Sequence, residues 1–234
     1  MRSSLLAAVA AAVLGGCGGS TTETRSEPKK AATVYFQVDP ATAAQLSGKA
    51  RFTGRKPVRK QIRIDDEDCK PGGPVFDEQL IAGGGGALAN VFIYVKSGLE
   101  GKTFPPAQAP VRFDQKGCMF RPHVVGLRAG QPFQVTNSDQ VTHNIHPMPR
   151  ENREWNQGQQ PGAAPVERQF SRPEIGIPVK CNVHAWMRAY IAVVDHPYFA
   201  VTAGDGSFTI GNLPPGDYTV AAWHEKLGAA QEKL

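Results

Sequence analysis

Hydrophobic and polar positions alternate in short bursts along this chain, and most bursts end at a glycine or proline. A period of two over four to eight residues marks a strand, and no long amphipathic helix stands out. The first ordered block spans 44–64. Within it, Lys56–Ile64 puts Val58, Lys60, Ile62 and Ile64 on one side and charges on the other, as in an edge strand with one wet face. The acidic run Asp65–Asp68 follows as a loop. Gly83–Gly86 lacks the following helix that a phosphate loop needs, and is expected to connect a hairpin. Ala89–Val95 is the clearest buried strand. Val111–Phe113, His123–Leu127 and Pro132–Thr136 follow as short strands, split by turns at Gly117 and Gly130. After a polar excursion from Pro147 to Pro165, strand patterns resume at Val166–Phe170, Ile177–Cys181 and Tyr190–Val194. Phe208–Ile210, the turn residues Asn212–Gly216 and Tyr218–Trp223 carry a hairpin signature. No closing strand is read after Trp223, and further chain is expected to supply one.

Composition narrows the class. The 234 residues are 41% hydrophobic, enough for a packed core, and their 25 glycines and 19 prolines are spread along the chain, as suits short strands joined by turns. The net charge of +5 comes from interspersed charges of both signs. With no concentrated basic face and no known motif, nucleic-acid binding is set aside. Arg2, the apolar run Leu5–Leu14 and the small residues after it form a signal-peptide pattern over 1–16. The apolar run is too short to span a bilayer. Leu14-Gly15-Gly16-Cys17 resembles the lipobox of bacterial lipoproteins. That resemblance implies lipidation at Cys17, a flexible tether over 17–44, and a membrane-anchored protein of the cell envelope facing the periplasm or exterior. In such an oxidising setting Cys69 and Cys118 are expected to pair as a disulfide. A second metal site using Cys118 and His123 is the alternative.

The fourth cysteine lies in a cluster with chemistry. Cys181-Asn-Val-His184-Ala-Trp-Met187 offers a thiolate, an imidazole and a thioether within seven residues, and His143-Asn144-Ile145-His146 supplies further imidazoles. Soft sulfur with two imidazoles selects copper and supports cycling between Cu(I) and Cu(II). A structural zinc site would favour more thiolates. A Cys–His nucleophile pair would leave Met187 and the second histidine without a role.

These residues carry a further resemblance. The stretch Leu127–Asp139, the His143-Asn144 pair, the loop Cys181–Met187 and the closing strand Tyr190–Val194 resemble a cupredoxin, with the short ligand loop of amicyanin-like members. The resemblance implies a type 1 copper site with His143 as the buried histidine, Cys181 as the thiolate, His184 as the exposed histidine and Met187 as the weak axial ligand. It also implies that Asn144 pins the two ligand loops together and that its N–H donates to the Cys181 sulfur. Asn182 and Trp186 depart from the usual residues, and Trp186 is expected either to shield His184 or to touch a partner. His146 is a possible extra ligand but is expected to face solvent or to pack under Pro147-Met148-Pro149. The flanks are similar to the carboxypeptidase regulatory-like, transthyretin-like β-sandwich, above all at Gly206–Val220.

The expected fold is therefore all-β, with a Greek-key cupredoxin sandwich over 103–197 and a small transthyretin-like sandwich from 45–102 and 198–234. The expected function is one-electron transfer to a redox protein partner. Periplasmic copper handling, or adhesion and carbohydrate binding by the β-sandwich, are the alternatives. Catalysis is not expected, because copper oxidases and nitrite reductases need further histidine clusters.

Overall fold

Fifteen strands and one 3-10 turn (Gly84–Gly86), with no α-helix, make up the residues described by the computed structural model, 33–69 and 72–234. The signal pattern, Cys17 and most of the tether lie outside the described residues. In chain order the strands are β1 Ala44–Lys49, β2 Phe92–Ser97, β3 Val111–Gln115, β4 Phe120–Arg121, β5 Val124–Arg128, β6 Phe133–Asn137, β7 His143–Pro147 and β8 Gln157–Gln159. They continue as β9 Val166–Arg168, β10 Glu174–Lys180, β11 Arg188–Val194, β12 Phe199–Val201, β13 Ser207–Leu213, β14 Thr219–His224 and β15 Gly228–Lys233. Among the described residues no helix is long and apolar enough to cross a membrane.

The strands form four sheets, ordered β4-β3-β6-β9, β5-β11-β10-β7-β8, β12-β2-β14-β15 and β1-β13. Three hydrophobic cores join them into successive layers. Phe113, Phe133, Val135, Leu127, Ile177 and Ile191 fill the space between the first and second sheets. Phe92, Val124, Ala192 and Val194 join the second to the third, with Phe199 and Trp223 packed beside them. Ile93, Val95, Ile210 and Leu213 join the third to the fourth. The second and third sheets are thus buried on both faces. In β11, Ala189, Ile191 and Val193 face one core while Ala192 and Val194 face the other. A strand covered on both sides needs apolar residues at successive positions, as β11 has from Ala189 to Val194 after the exposed Arg188. Gly126 and Gly176 permit close contact between these layers. A Cβ on Gly126 would lie 2.6 Å from both the Phe92 and Phe199 rings, and one on Gly176, at φ 77°, would lie 2.5 Å from Trp223.

Within the first two sheets, β3 pairs in parallel with β6, and β5 in parallel with β11. The remaining pairs of these two sheets are antiparallel. These two sheets pack as an all-β sandwich. The third and fourth sheets form a smaller sandwich beside it.

Three sequence expectations are corrected. Lys56–Ile64 forms no sheet strand. Gln61 makes one isolated bridge to Phe76, Val58 is 92% exposed, and Ile64 packs on the first core. Residues 56–69 and 72–82 thus form an irregular strap, tied to the first sandwich by the Cys69–Cys118 disulfide. The hairpin expected at Phe208–Trp223 is an arch between sheets, because β13 pairs with β1 while β14 pairs with β2 and β15. Alternation reveals a strand but not its partner. The closing strand is β15, whose GAAQEK sequence is exposed at every residue and so lacks the apolar alternation that betrays a strand.

Candidate metal centre

Two adjacent strand ends build the centre. His143 opens β7, and Cys181 follows β10, which pairs with β7 at Val179–Pro147 and Lys180–His146. The loop from Cys181 to Met187 reverses the chain into β11. Met187 N–H donates to His184 O (3.0 Å), and Cys181 N–H donates to Met187 O (3.2 Å). The reversal brings the loop's ligands to His143. The two Nδ1 atoms of His143 and His184 lie 2.9 Å apart, and His184 Nδ1 lies 3.9 Å from Cys181 Sγ. The three ligand atoms are all within 4.8 Å of one another. Met187 is fully buried in the same core.

A carboxylate orients each imidazole. His143 Nε2 meets Asp139 Oδ2 at 2.9 Å, and His184 Nε2 meets Asp66 Oδ2 at 3.0 Å. These partners assign the ring proton to Nε2 in both histidines, which leaves both Nδ1 atoms as lone-pair donors. Two lone pairs facing each other at 2.9 Å, beside a buried thiol, form a pocket that a cation relieves. Burial pushes the His143 imidazole below its ordinary value, opposed by the Asp139 hydrogen bond and reinforced by His184. The His184 hydrogen bond, helped by the Asp68 N–H, holds the Asp66 carboxyl below the usual carboxylate range.

Asn144 ties the ligand segments together. Its Oδ1 accepts the Asn182 N–H at 2.6 Å and lies 3.3 Å from Cys181 Sγ, while its Nδ2 donates to Asn156 (2.7 Å). The N–H described at the sulfur is that of His184, at 3.4 Å, where the resemblance implied that of Asn144.

His184 departs most from expectation. It is buried, not exposed, at 2% accessibility. Asp66 and Cys69 of the strap cover its outer edge, and Trp186 packs on its ring with centroids 5.0 Å apart. Trp186 is itself held by its indole N–H to Cys118 O (3.0 Å). Cys69 and Cys118 are joined as a disulfide beside this ring. Asn182 is exposed. His146 meets Glu154 (2.6 Å) and Asn182 (3.3 Å), and His123 meets Glu225. Neither of these, nor His196 or His224, joins a metal-ligand cluster among the described residues.

Sequence reasoning missed Asp66 and Asp139. Asp139 carries a signal, since it stands four residues before His143. Asp66 carries none, being 118 positions from His184. A thiol, two convergent imidazoles and a thioether match the preferences of copper, which supplies one-electron redox chemistry when bound.

The strand order, the packing and this cluster place a candidate metal centre at one end of an all-β sandwich. Solved structures similar to it include a Cu-containing nitrite reductase (NirK) from Thermus scotoductus SA-01, at 18% identity and TM-score 0.35, over 42% of this chain and 24% of that one. A purple cupredoxin from Nitrosopumilus maritimus matches at 20% identity and TM-score 0.29, over 38% of this chain and 99% of that one. A Cu(I) form of an amicyanin variant matches at 16% identity and TM-score 0.32, over 44% and 98% of the two chains. The match thus spans about a quarter of the nitrite reductase chain. No protein-family model matches the sequence, and no curated protein matches it. The expectation that catalysis is excluded is corrected: the similar structures include a copper nitrite reductase, so the exclusion does not stand.

Proposed function

We propose that this chain is an exported, membrane-tethered type 1 copper protein that passes single electrons to and from a redox protein partner. The observation that carries this reading is the convergence of His143 Nδ1, His184 Nδ1 and Cys181 Sγ within 4.8 Å in a buried pocket. In this reading Cys181 would hold the copper as a thiolate, His143 and His184 as imidazoles, and Met187 as a weak thioether ligand. Asp66 and Asp139 hold the ring protons away from the metal, and Asn144 fixes the loops so that the ligands keep their places. The buried walls exclude water from the sulfur. Export is supported by the signal pattern and by the disulfide, which persists in oxidising compartments. Lipidation of Cys17 then supplies the anchor.

Optical and EPR spectra of the Cu(II)-loaded chain test the proposal. The wild type is expected to show an intense thiolate-to-copper band and a reversible one-electron wave. Cys181→Ser is expected to lose the band, and Met187→Leu to keep it with a shifted potential. A copper-loaded wild type without the thiolate band overturns the reading.

A further inference from the structure

The Cys69–Cys118 disulfide lies across the outer edges of both ligand imidazoles. At one end, Cys69 Sγ is 3.6 Å from His184 Nε2, the same nitrogen that meets Asp66. At the other end, Cys118 N–H donates to Asp139 Oδ2 (2.8 Å), the oxygen that also meets His143 Nε2. Asp66, Cys69 and His184 bring three ligand atoms within 4.8 Å of one another, and Cys118, Asp139 and His143 do the same. Each half of the disulfide therefore sits in a metal-ligand cluster that shares a histidine with the type 1 site. Neither half can serve as a thiolate ligand while the S–S bond is intact.

We infer that Cys69 and Cys118 form a second, soft-metal site that opens when their disulfide is reduced, takes one Cu(I) ion, and lies against the type 1 ligands it would load. This inference rests on the proposal that His143, Cys181, His184 and Met187 bind copper. A dithiol supplies the chemistry: its thiolate attacks one sulfur, a mixed disulfide forms, and its second thiol displaces the remaining cysteine. Two electrons and two protons pass to Cys69 and Cys118, and the reductant leaves as a disulfide. Binding of Cu(I) by the pair then releases both thiol protons. Two thiolates suit Cu(I) by softness, while the carboxylates of Asp66 and Asp139 stand beside them.

The strap supplies access. Both sulfurs are buried, but Cys69 sits on the strap, which joins no sheet. Its described backbone bonds include internal ones, Ile62 N–H to Val75 O and Asp77 N–H to Lys60 O, each 2.8 Å. Among the described residues its ties to the first sandwich include the disulfide, the Asp66–His184 bond, the contacts of Glu78 with Arg121 and His123, and the packing of Ile64. A segment held by few bonds opens at lower cost than a core strand. Glu67 and Asp68, exposed on this strap, attract a cation to the opening, while Asp65 is paired with Arg63.

Anaerobic titration with Cu(I) against a chromophoric chelator tests the inference. The oxidised chain is expected to bind one ion. The chain treated with a dithiol, then freed of it, is expected to bind two. Cys69→Ser/Cys118→Ser is expected to bind one under both conditions. Protection of Cys69 and Cys118 from alkylation by Cu(I), read by mass spectrometry on the reduced wild type, gives the same answer should the double variant fail to fold. One ion in both wild-type forms, a second ion retained by the variant, or unprotected thiols overturns the second site alone. An oxidised chain that binds no copper overturns the type 1 reading, and this inference with it.

Discussion

Asp66 and Asp139 do as much to shape the centre as the ligands they touch. An imidazole has two nitrogens, and a site that needs Nδ1 from both rings must commit both Nε2 atoms elsewhere. Asp139 performs this for His143 from the turn before β7, and Asp66 performs it for His184 from the strap. Asp66→Ala removes one commitment and uncovers the edge of His184. Cu(II) affinity is expected to fall about 10- to 100-fold, with the fold intact. Competition with a metal chelator, alongside circular dichroism, measures both. The candidate ligands were legible in the sequence because His143-Asn144 and Cys181–Met187 combine rare residue types at close spacing. The strap's place over His184 was not, because nothing in Asp65–Asp68 distinguishes a loop in solvent from one on a metal site.

At the scale of elements, period-two alternation located most strands but not their partners. β2 stood out because every residue from Val91 to Val95 is apolar, which follows from its position between two cores. β15 stayed hidden for the opposite reason. Its residues bury nothing, and the strand is held by backbone pairing to β14. Glycines mark where sheets come close. At Gly126 the Phe92 and Phe199 rings occupy the space a side chain would fill. Gly126→Ala is expected to destabilise the chain by about 1–3 kcal/mol through overpacking. Denaturant unfolding measures the loss, and an unchanged thiolate band in the copper-loaded variant would show that the damage stays between the second and third sheets.

The whole molecule couples two sandwiches through a shared layer, and buried histidines make its stability depend on pH. His196 is 7% exposed, with Nδ1 accepting the Tyr198 N–H (3.2 Å). His224 is 3% exposed, with Nδ1 accepting the Lys226 N–H (3.1 Å) and Nε2 without a described partner. Burial pushes both imidazoles below their ordinary value. The unfolded chain therefore binds protons that the folded chain refuses once the pH drops below about 6.5. Stability is expected to be full above that point and to fall as the pH decreases through it. Denaturation midpoints between pH 5 and 8 measure this, and a rise in stability toward pH 5 would contradict it.

β11 begins immediately after Met187, is paired on both edges with β5 and β10, and is packed on both faces. An electron carrier works fastest when its bonds scarcely lengthen or bend between oxidation states, since every such adjustment adds to the activation barrier. Dense interiors resist that adjustment because they compress little. If the chain carries electrons as proposed, the second sandwich would act as a stiffener: by gripping the far face of β11, it would lower the reorganisation that a change of charge imposes on the ligand loop, without contributing a ligand of its own.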